Sequence, residues 1–139
     1  MKRTATAQWT GDLKNGNGTI TSQSTVLNNT PYSFKTRFED GIGTNPEELL
    51  AAAHAGCFTM AISAQLTQKG FEAQMLETQA IVDVNMATLK INGVYLDLKA
   101  KVENLSDSDF QTIANDAKIN CLISKILNVP ITLNAVLEK

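Results

Sequence analysis

Polar and apolar residues alternate over the first 38 positions, and two turn signals interrupt them. The alternation predicts antiparallel β structure over residues 4–38. Thr4 to Trp9 reads as a first strand. Asn15-Gly16-Asn17-Gly18 reads as a turn, because Asn and Gly tolerate positive φ. Thr19 to Leu27 is rich in Thr, Ser and Val and suits a second strand, closed by a turn at Asn28-Asn29-Thr30-Pro31. Tyr32 to Phe38 alternates again and predicts a third strand, with Arg37 pointing opposite to Phe34, Thr36 and Phe38.

Glu39 to Thr44 is a loop, and the pattern then changes completely. A long helix is expected over 46–69. Thr44 or Asn45 can cap it, and Pro46 suits the first helical position, where a missing N–H costs nothing. Glu47 and Glu48 complement the positive end of the helix dipole, and Gly70 ends the run. Leu49, Leu50, Ala52, Ala53, Ala55, Cys57, Phe58, Met60, Ala61, Ile62 and Ala64 leave almost no polar face. A helix apolar all round is buried all round, which one small chain can hardly achieve alone. The alanines permit close helix approach, so this helix is expected to help form a dimer core.

Strands follow at Thr78 to Met86 and Leu89 to Val102, with Asn92-Gly93 as a turn or bulge. Ser106 caps a second helix whose stripe is Phe110, Ile113, Ala114 and Ala117. Cys121 to Leu127 reads as a separate short helix and Pro130 to Leu137 as a last strand. The class is α+β, in a single domain over residues 1–139.

Composition narrows the function. The chain has 139 residues, 43% of them apolar, and a net charge of −2. That argues against disorder and against a nucleic-acid binder, which would show a basic face. No apolar run reaches the ~18 residues of a membrane span, and no signal core opens the chain. A cytoplasmic location without membrane attachment is therefore expected. In a reducing compartment Cys57 and Cys121 are more plausible as reactive or buried thiols than as a permanent staple.

A thiol reacts as thiolate, so something must favour that form. Cys121 sits at the start of a short helix, where free N–H groups favour an anion. Cys57 lies about 16 Å along its helix from Pro46, beyond reach of the helix dipole. Its activation requires a side chain, and a buried Arg suits best because its charge survives desolvation. Such an Arg needs its own carboxylate, for which Glu47 and Glu48 are candidates. Glu47 and Cys57 are separated by about 15 Å along one helix. If one guanidinium bridges them, the carboxylate and the thiol come from different subunits.

Asn45-Pro46-Glu47-Glu48-Leu49, followed by Ala-Ala-His-Ala-Gly-Cys-Phe over 52–58, resembles the signature of the OsmC/Ohr family of thiol peroxidases. Trp9-Thr10-Gly11-Asp12, Tyr32-Ser33-Phe34-Lys35-Thr36-Arg37-Phe38-Glu39 and Gly43 to Leu49 are similar to its OsmC branch. The likeness covers almost the whole chain. It implies an intertwined α+β homodimer, with antiparallel sheets around a long central helix and sites at the subunit interface. It implies that Cys57 is the peroxidatic cysteine, which reduces organic hydroperoxides, and hydrogen peroxide more weakly, through a sulfenic acid. Cys121 matches the resolving cysteine that closes a disulfide. Arg37 matches the arginine that lowers the thiolate pKa and polarises the peroxide, and Glu47 the acid that holds it. A lipoyl-like dithiol would be the reductant, with no cofactor and no metal. The chain departs from the family pattern at Leu122, where proline usually follows the resolving cysteine; loss of that ring is expected to loosen Cys121.

Blander readings stand beside these. A cysteine in an alanine-rich helix is commonly just core. His54, on the Cys57 side of the helix, reads as a hydrogen-bonded packing residue, since one His and two Cys are too few for structural zinc. Glu48 reads as a dipole-complementing acid and Trp9 as core with some chance of lining a pocket. Phe58 and Met60 are expected to offer an apolar flank to an alkyl group. Two rival functions remain: a non-catalytic thiol redox sensor or small-ligand-binding dimer, and a structural dimer with inert cysteines.

Overall fold

The computed structural model describes all residues, Met1–Lys139, and the chain divides into two units, Met1–Leu49 and Leu50–Lys139. In the first, β1 (Ala5–Thr10), β2 (Asn17–Ser22) and β3 (Thr30–Tyr32) form an antiparallel sheet in that order. β2 is shorter than the sequence suggests. The hydroxyl of Ser22 accepts from Leu27 N–H at 3.1 Å, and Thr25 and Asn29 take positive φ. Serine hydroxyls offer the backbone local partners that compete with a ladder.

The expected third strand over 32–38 is corrected. Only Thr30–Tyr32 is extended, and Phe34–Phe38 forms a short helix, α1. Ser33 Oγ accepts from Thr36 N–H at 3.3 Å, while Thr36 Oγ1 accepts from Ser33 N–H at 2.8 Å. This is a capping box with threonine in the place of the usual Glu or Gln. Phe34 and Phe38, four residues apart, stack with ring centroids at 4.8 Å. Over five residues this spacing imitates strand alternation.

α2 (Pro46–Gln68) begins in the first unit and continues into the second. Asn45 caps it, its Oδ1 accepting from Glu48 N–H at 2.7 Å, and Gly70 ends it at φ +83°. In the second unit β4 (Ala73–Asn85) pairs antiparallel with β5 (Lys90–Val102), with an irregularity at Asp83/Val84 opposite Gly93. A Cβ on Gly93 would press on the Pro130 carbonyl, to which Val94 N–H donates at 3.0 Å. α3 (Asp107–Asn120) and α4 (Leu122–Ile126) follow, and β6 (Ile131–Glu138) returns to β5. The pairing of β6 with β5 is parallel, so this sheet is mixed rather than wholly antiparallel.

β5 is the middle strand and organises the core. Its residues Val94, Leu96, Leu98, Ala100 and Val102 turn one face inward, as a period of two requires. They cluster with Phe58, Ile62 and Leu66 of α2 and with Phe110, Ile113, Ala114 and Ala117 of α3. Within its own chain α2 is buried along one ridge only, His54, Phe58, Ile62 and Leu66, spaced by four. Ala52, Ala53, Gly56, Met60 and Ala64 stay exposed, so burial all round is not achieved inside one chain. By length and composition α2 could cross a membrane, which corrects the expectation that no segment is apolar enough; here its ridge packs in protein core.

Gly18 shows how tightly the first sheet is fitted. It lies opposite Trp9 on one side and Tyr32 on the other, and these rings meet edge-on with centroids 5.4 Å apart. A Cβ there would collide with the Tyr32 ring and stand 2.7 Å from Trp9 Cε3. Gly18→Ala is expected to destabilise the protein by about 1–3 kcal/mol, the usual range for overpacking. Urea denaturation followed by the fluorescence of Trp9, the single tryptophan, measures it.

Candidate active site

In the first unit, α1 and the start of α2 bring a cation and a carboxylate together. Asn45 Nδ2 donates to the Thr36 carbonyl at 3.0 Å, tying the cap of α2 to α1. Arg37 then donates from Nε and Nη2 to Glu47 Oε1 at 3.1 and 2.9 Å. Glu48 faces elsewhere and accepts from Thr44 Oγ1 at 2.8 Å. The pair is partly solvated, so it orients the guanidinium more than it stabilises the fold. Arg37 lies 5.4 Å from the Phe38 ring centroid and lines an open groove of about 440 Å³ with Trp9, Leu13, Tyr32, Phe34 and Phe38. Trp9 is exposed and lies outside the core, so it is a groove wall and not the core residue expected of it. The aromatic walls from α1 were missed because that segment read as a strand.

In the second unit, Cys57 of α2 and Cys121 between α3 and α4 are free thiols with their sulfurs 3.0 Å apart. Cys121 N–H donates to the Ala117 carbonyl, closing α3, and Cys121 accepts from Lys125 N–H, opening α4. A side chain at such a joint is fixed by both helices. A disulfide bond of about 2.05 Å requires the sulfurs to approach by only about 1 Å.

The two sulfurs differ in their surroundings. Burial pushes the Cys57 thiol up, and its hydrogen bond with Cys121 adds to the rise. Burial also opposes ionisation of Cys121, which is 1% exposed. There it is outweighed by the neighbouring Cys57, Ser124 and Ile123 groups, which together hold the thiol below its ordinary range. The Leu122 N–H, which a proline would lack, joins Ile123 N–H in favouring the ionised form of Cys57.

His54 is fully buried, with Nε2 2.8 Å from Ser124 Oγ and Nδ1 without a partner. Ser124 was absent from the expected site, because nothing local in the sequence links positions 70 residues apart. Phe58 is not a substrate flank: it is 0% exposed and belongs to the core, whereas Met60 is 75% exposed. No three His, Cys, Asp or Glu side chains gather in a metal-binding group.

Burial lowers the His54 pKa from 6.5. The unfolded chain therefore binds a proton near that pH that the folded chain refuses, and stability falls as pH drops below about 6.5. Because His54 is the only histidine, equilibrium unfolding between pH 7 and 5 should show this slope, at most about 1.4 kcal/mol per pH unit, and lose it in His54→Gln.

The OsmC-like protein family model matches residues 39–135. Peroxiredoxin OsmC of Escherichia coli strain K12 is 43% identical over 130 residues, covering 92% of this chain and 91% of that protein. The crystal structure of an OsmC-like protein from Mycoplasma pneumoniae superposes with a TM-score of 0.77 at 14% identity, covering 100% of this chain and 99% of the other. The organic hydroperoxide resistance protein OhrB of Bacillus subtilis gives 0.64 at 24%, covering 97% and 98%. These structures share the fold of this chain. With a family match over most of its length and a close relative over nearly all of it, the chain belongs to the OsmC-like protein family.

Proposed function

We propose that the protein is a cytoplasmic, homodimeric thiol peroxidase that acts as one OsmC-like domain on organic hydroperoxides, and more weakly on hydrogen peroxide. The observation that carries the reading is the pair of reduced sulfurs 3.0 Å apart, one on a helix and one at a helical joint. The Cys57 thiolate attacks the distal peroxide oxygen, the O–O bond breaks, and the alkoxide takes a proton to leave as the alcohol. The sulfenic acid on Cys57 is then attacked by the Cys121 thiolate; an S–S bond forms and hydroxide departs as water. A lipoyl-like dithiol returns both thiols. The aromatic groove beside Arg37 suits an alkyl group better than a small polar peroxide.

Burial raises the Cys57 thiol, so a cation is needed. Arg37 is held by Glu47, about 15 Å from Cys57 along α2. The cation we assign to each Cys57 is therefore Arg37 of the partner subunit. The exposed stripe of Ala53, Gly56, Met60 and Ala64 is the surface we assign to the second copy.

Turnover of cumene hydroperoxide with dihydrolipoamide should vanish in Cys57→Ser, while Cys121→Ser should react once and stall; equal activity in Cys57→Ser and wild type ends the proposal. Arg37→Ala should raise the Cys57 pKa and be nearly inactive. Refolding Arg37→Ala with Cys57→Ser in equal amounts should restore about a quarter of wild-type activity, because half the dimers then hold one complete site. If Arg37 serves its own subunit, the mixture stays dead.

A further inference from the structure

Two side-chain contacts join α2 to the segment after α3. One is the pair of sulfurs, Cys57 and Cys121, 3.0 Å apart. The other is His54 Nε2 with Ser124 Oγ, 2.8 Å apart and buried. His54 stands three residues before Cys57, and Ser124 three after Cys121. Each interval is about one helical turn, so the contacts are two rungs between α2 and α4. The supports of the second sulfur are unequal. Cys121 is the single residue between α3 and α4, and its backbone, at φ −58° and ψ 132°, is the pivot of the joint. On the α3 side the pivot is anchored by Phe110, Ile113, Ala114 and Ala117, all buried. On the other side α4 has five residues and one buried side chain, Ser124. Leu122 and Ile126 are exposed, and Ile123 is only partly buried. So short a helix has little stability of its own, and Cys121 gives it no side-chain cap. The rung at Ser124 is the one side-chain hydrogen bond that α4 makes. His54 makes it at the cost of burying Nδ1 without a partner, which a leucine on the same ridge would not incur.

We propose that the His54–Ser124 hydrogen bond is a brace that fixes the rotation of α4 and so holds the Cys121 sulfur against Cys57. One contact between two helices leaves each free to turn about it. A second contact, one turn away, removes that freedom. Both are positioning residues and act through where they place Cys121. What the brace raises is the effective concentration of one thiol at the other, the quantity that governs ring closure. In the proposed cycle it serves the step in which the Cys121 sulfur bonds to the Cys57 sulfur. The Cys57 S–O bond breaks in that step, and the hydroxide takes a proton to leave as water. For that step the brace rests on the peroxidase reading. The equilibrium between the two thiols and their disulfide involves no peroxide and does not rest on it.

Two measurements separate these levels. Full-length protein is equilibrated with mixtures of reduced and oxidised dithiothreitol, which gives or takes the two electrons of the Cys57–Cys121 disulfide. Alkylation of free thiols and mass spectrometry then read the oxidised fraction. Ser124→Ala should lower the equilibrium constant for disulfide formation about tenfold, a rise of about 30 mV in reduction potential. His54→Leu should do the same, and Ser124→Thr, which keeps the hydroxyl, should stay near wild type. Both single variants break one bond, so the double variant should lose no more than either alone. Ile113→Val, which thins the core on the α3 side, should leave the equilibrium unmoved. Circular dichroism melts identify any variant that fails to fold. If Ser124→Ala does, Ser124→Val against Ser124→Thr makes the same comparison at matched shape. An unmoved equilibrium in the folded hydroxyl-free variant overturns the brace. So does a double variant whose loss is the product of the single losses, or an equal loss in Ile113→Val. With cumene hydroperoxide, Cys57 sulfenic acid trapped by dimedone should accumulate in Ser124→Ala. A wild type that leaves the peroxide unconsumed ends the peroxidase reading, and the dithiothreitol equilibrium still decides the brace.

Discussion

A helix of 23 residues with apolar side chains on nearly every side must be covered, and its own chain covers only a ridge of it. The ridge of His54, Phe58, Ile62 and Leu66 seats α2 in the core of β5 and α3. Cys57 lies directly beside that ridge, so the packing that fixes Phe58 also fixes the sulfur. The facing sulfur is fixed by the same core, because Ala117 and Cys121 are members of it. The distance between two reactive atoms is thus set by hydrophobic burial far more than by any bond between them.

That burial has an electrostatic cost, and the two cysteines meet it differently. Cys121 gathers donors from α4 and ends up easier to ionise. Cys57 receives amide hydrogens from Ile123 and Leu122, yet burial still dominates. The chain therefore makes one sulfur easier to ionise and the other harder, which leaves the second in need of positive charge. Its prominent guanidinium is engaged with Glu47, in the first turn of α2. The proposed dimer follows from this mismatch as much as from the exposed alanines.

Much of this was legible in the residues. Pro46, Glu47, Glu48 and Gly70 marked α2 because each carries its own local reason for standing at a helix end. Ser106 marked α3 in the same way, donating to Asp109 as well as accepting from it. α1 was misread because Thr36 closes its capping box, and threonine is also a common strand residue. The parallel pairing of β6 was not legible, since strand direction in a sheet is decided by tertiary packing and not by alternation. Nor was Ser124, whose significance comes from meeting His54 across the core.

The placement of β6 also bears on the order in which the molecule is made. The first sheet is complete once Tyr32 has emerged, because all its paired residues lie between Ala5 and Tyr32. β5 is different: one edge pairs at once with β4, but the other waits for residues 131–138. During synthesis, then, the amino-terminal sheet can form early while the core around β5 stays open on one side. Cys57 leaves the ribosome long before the strand that closes that core, and only with closure is its sulfur paired at a fixed distance.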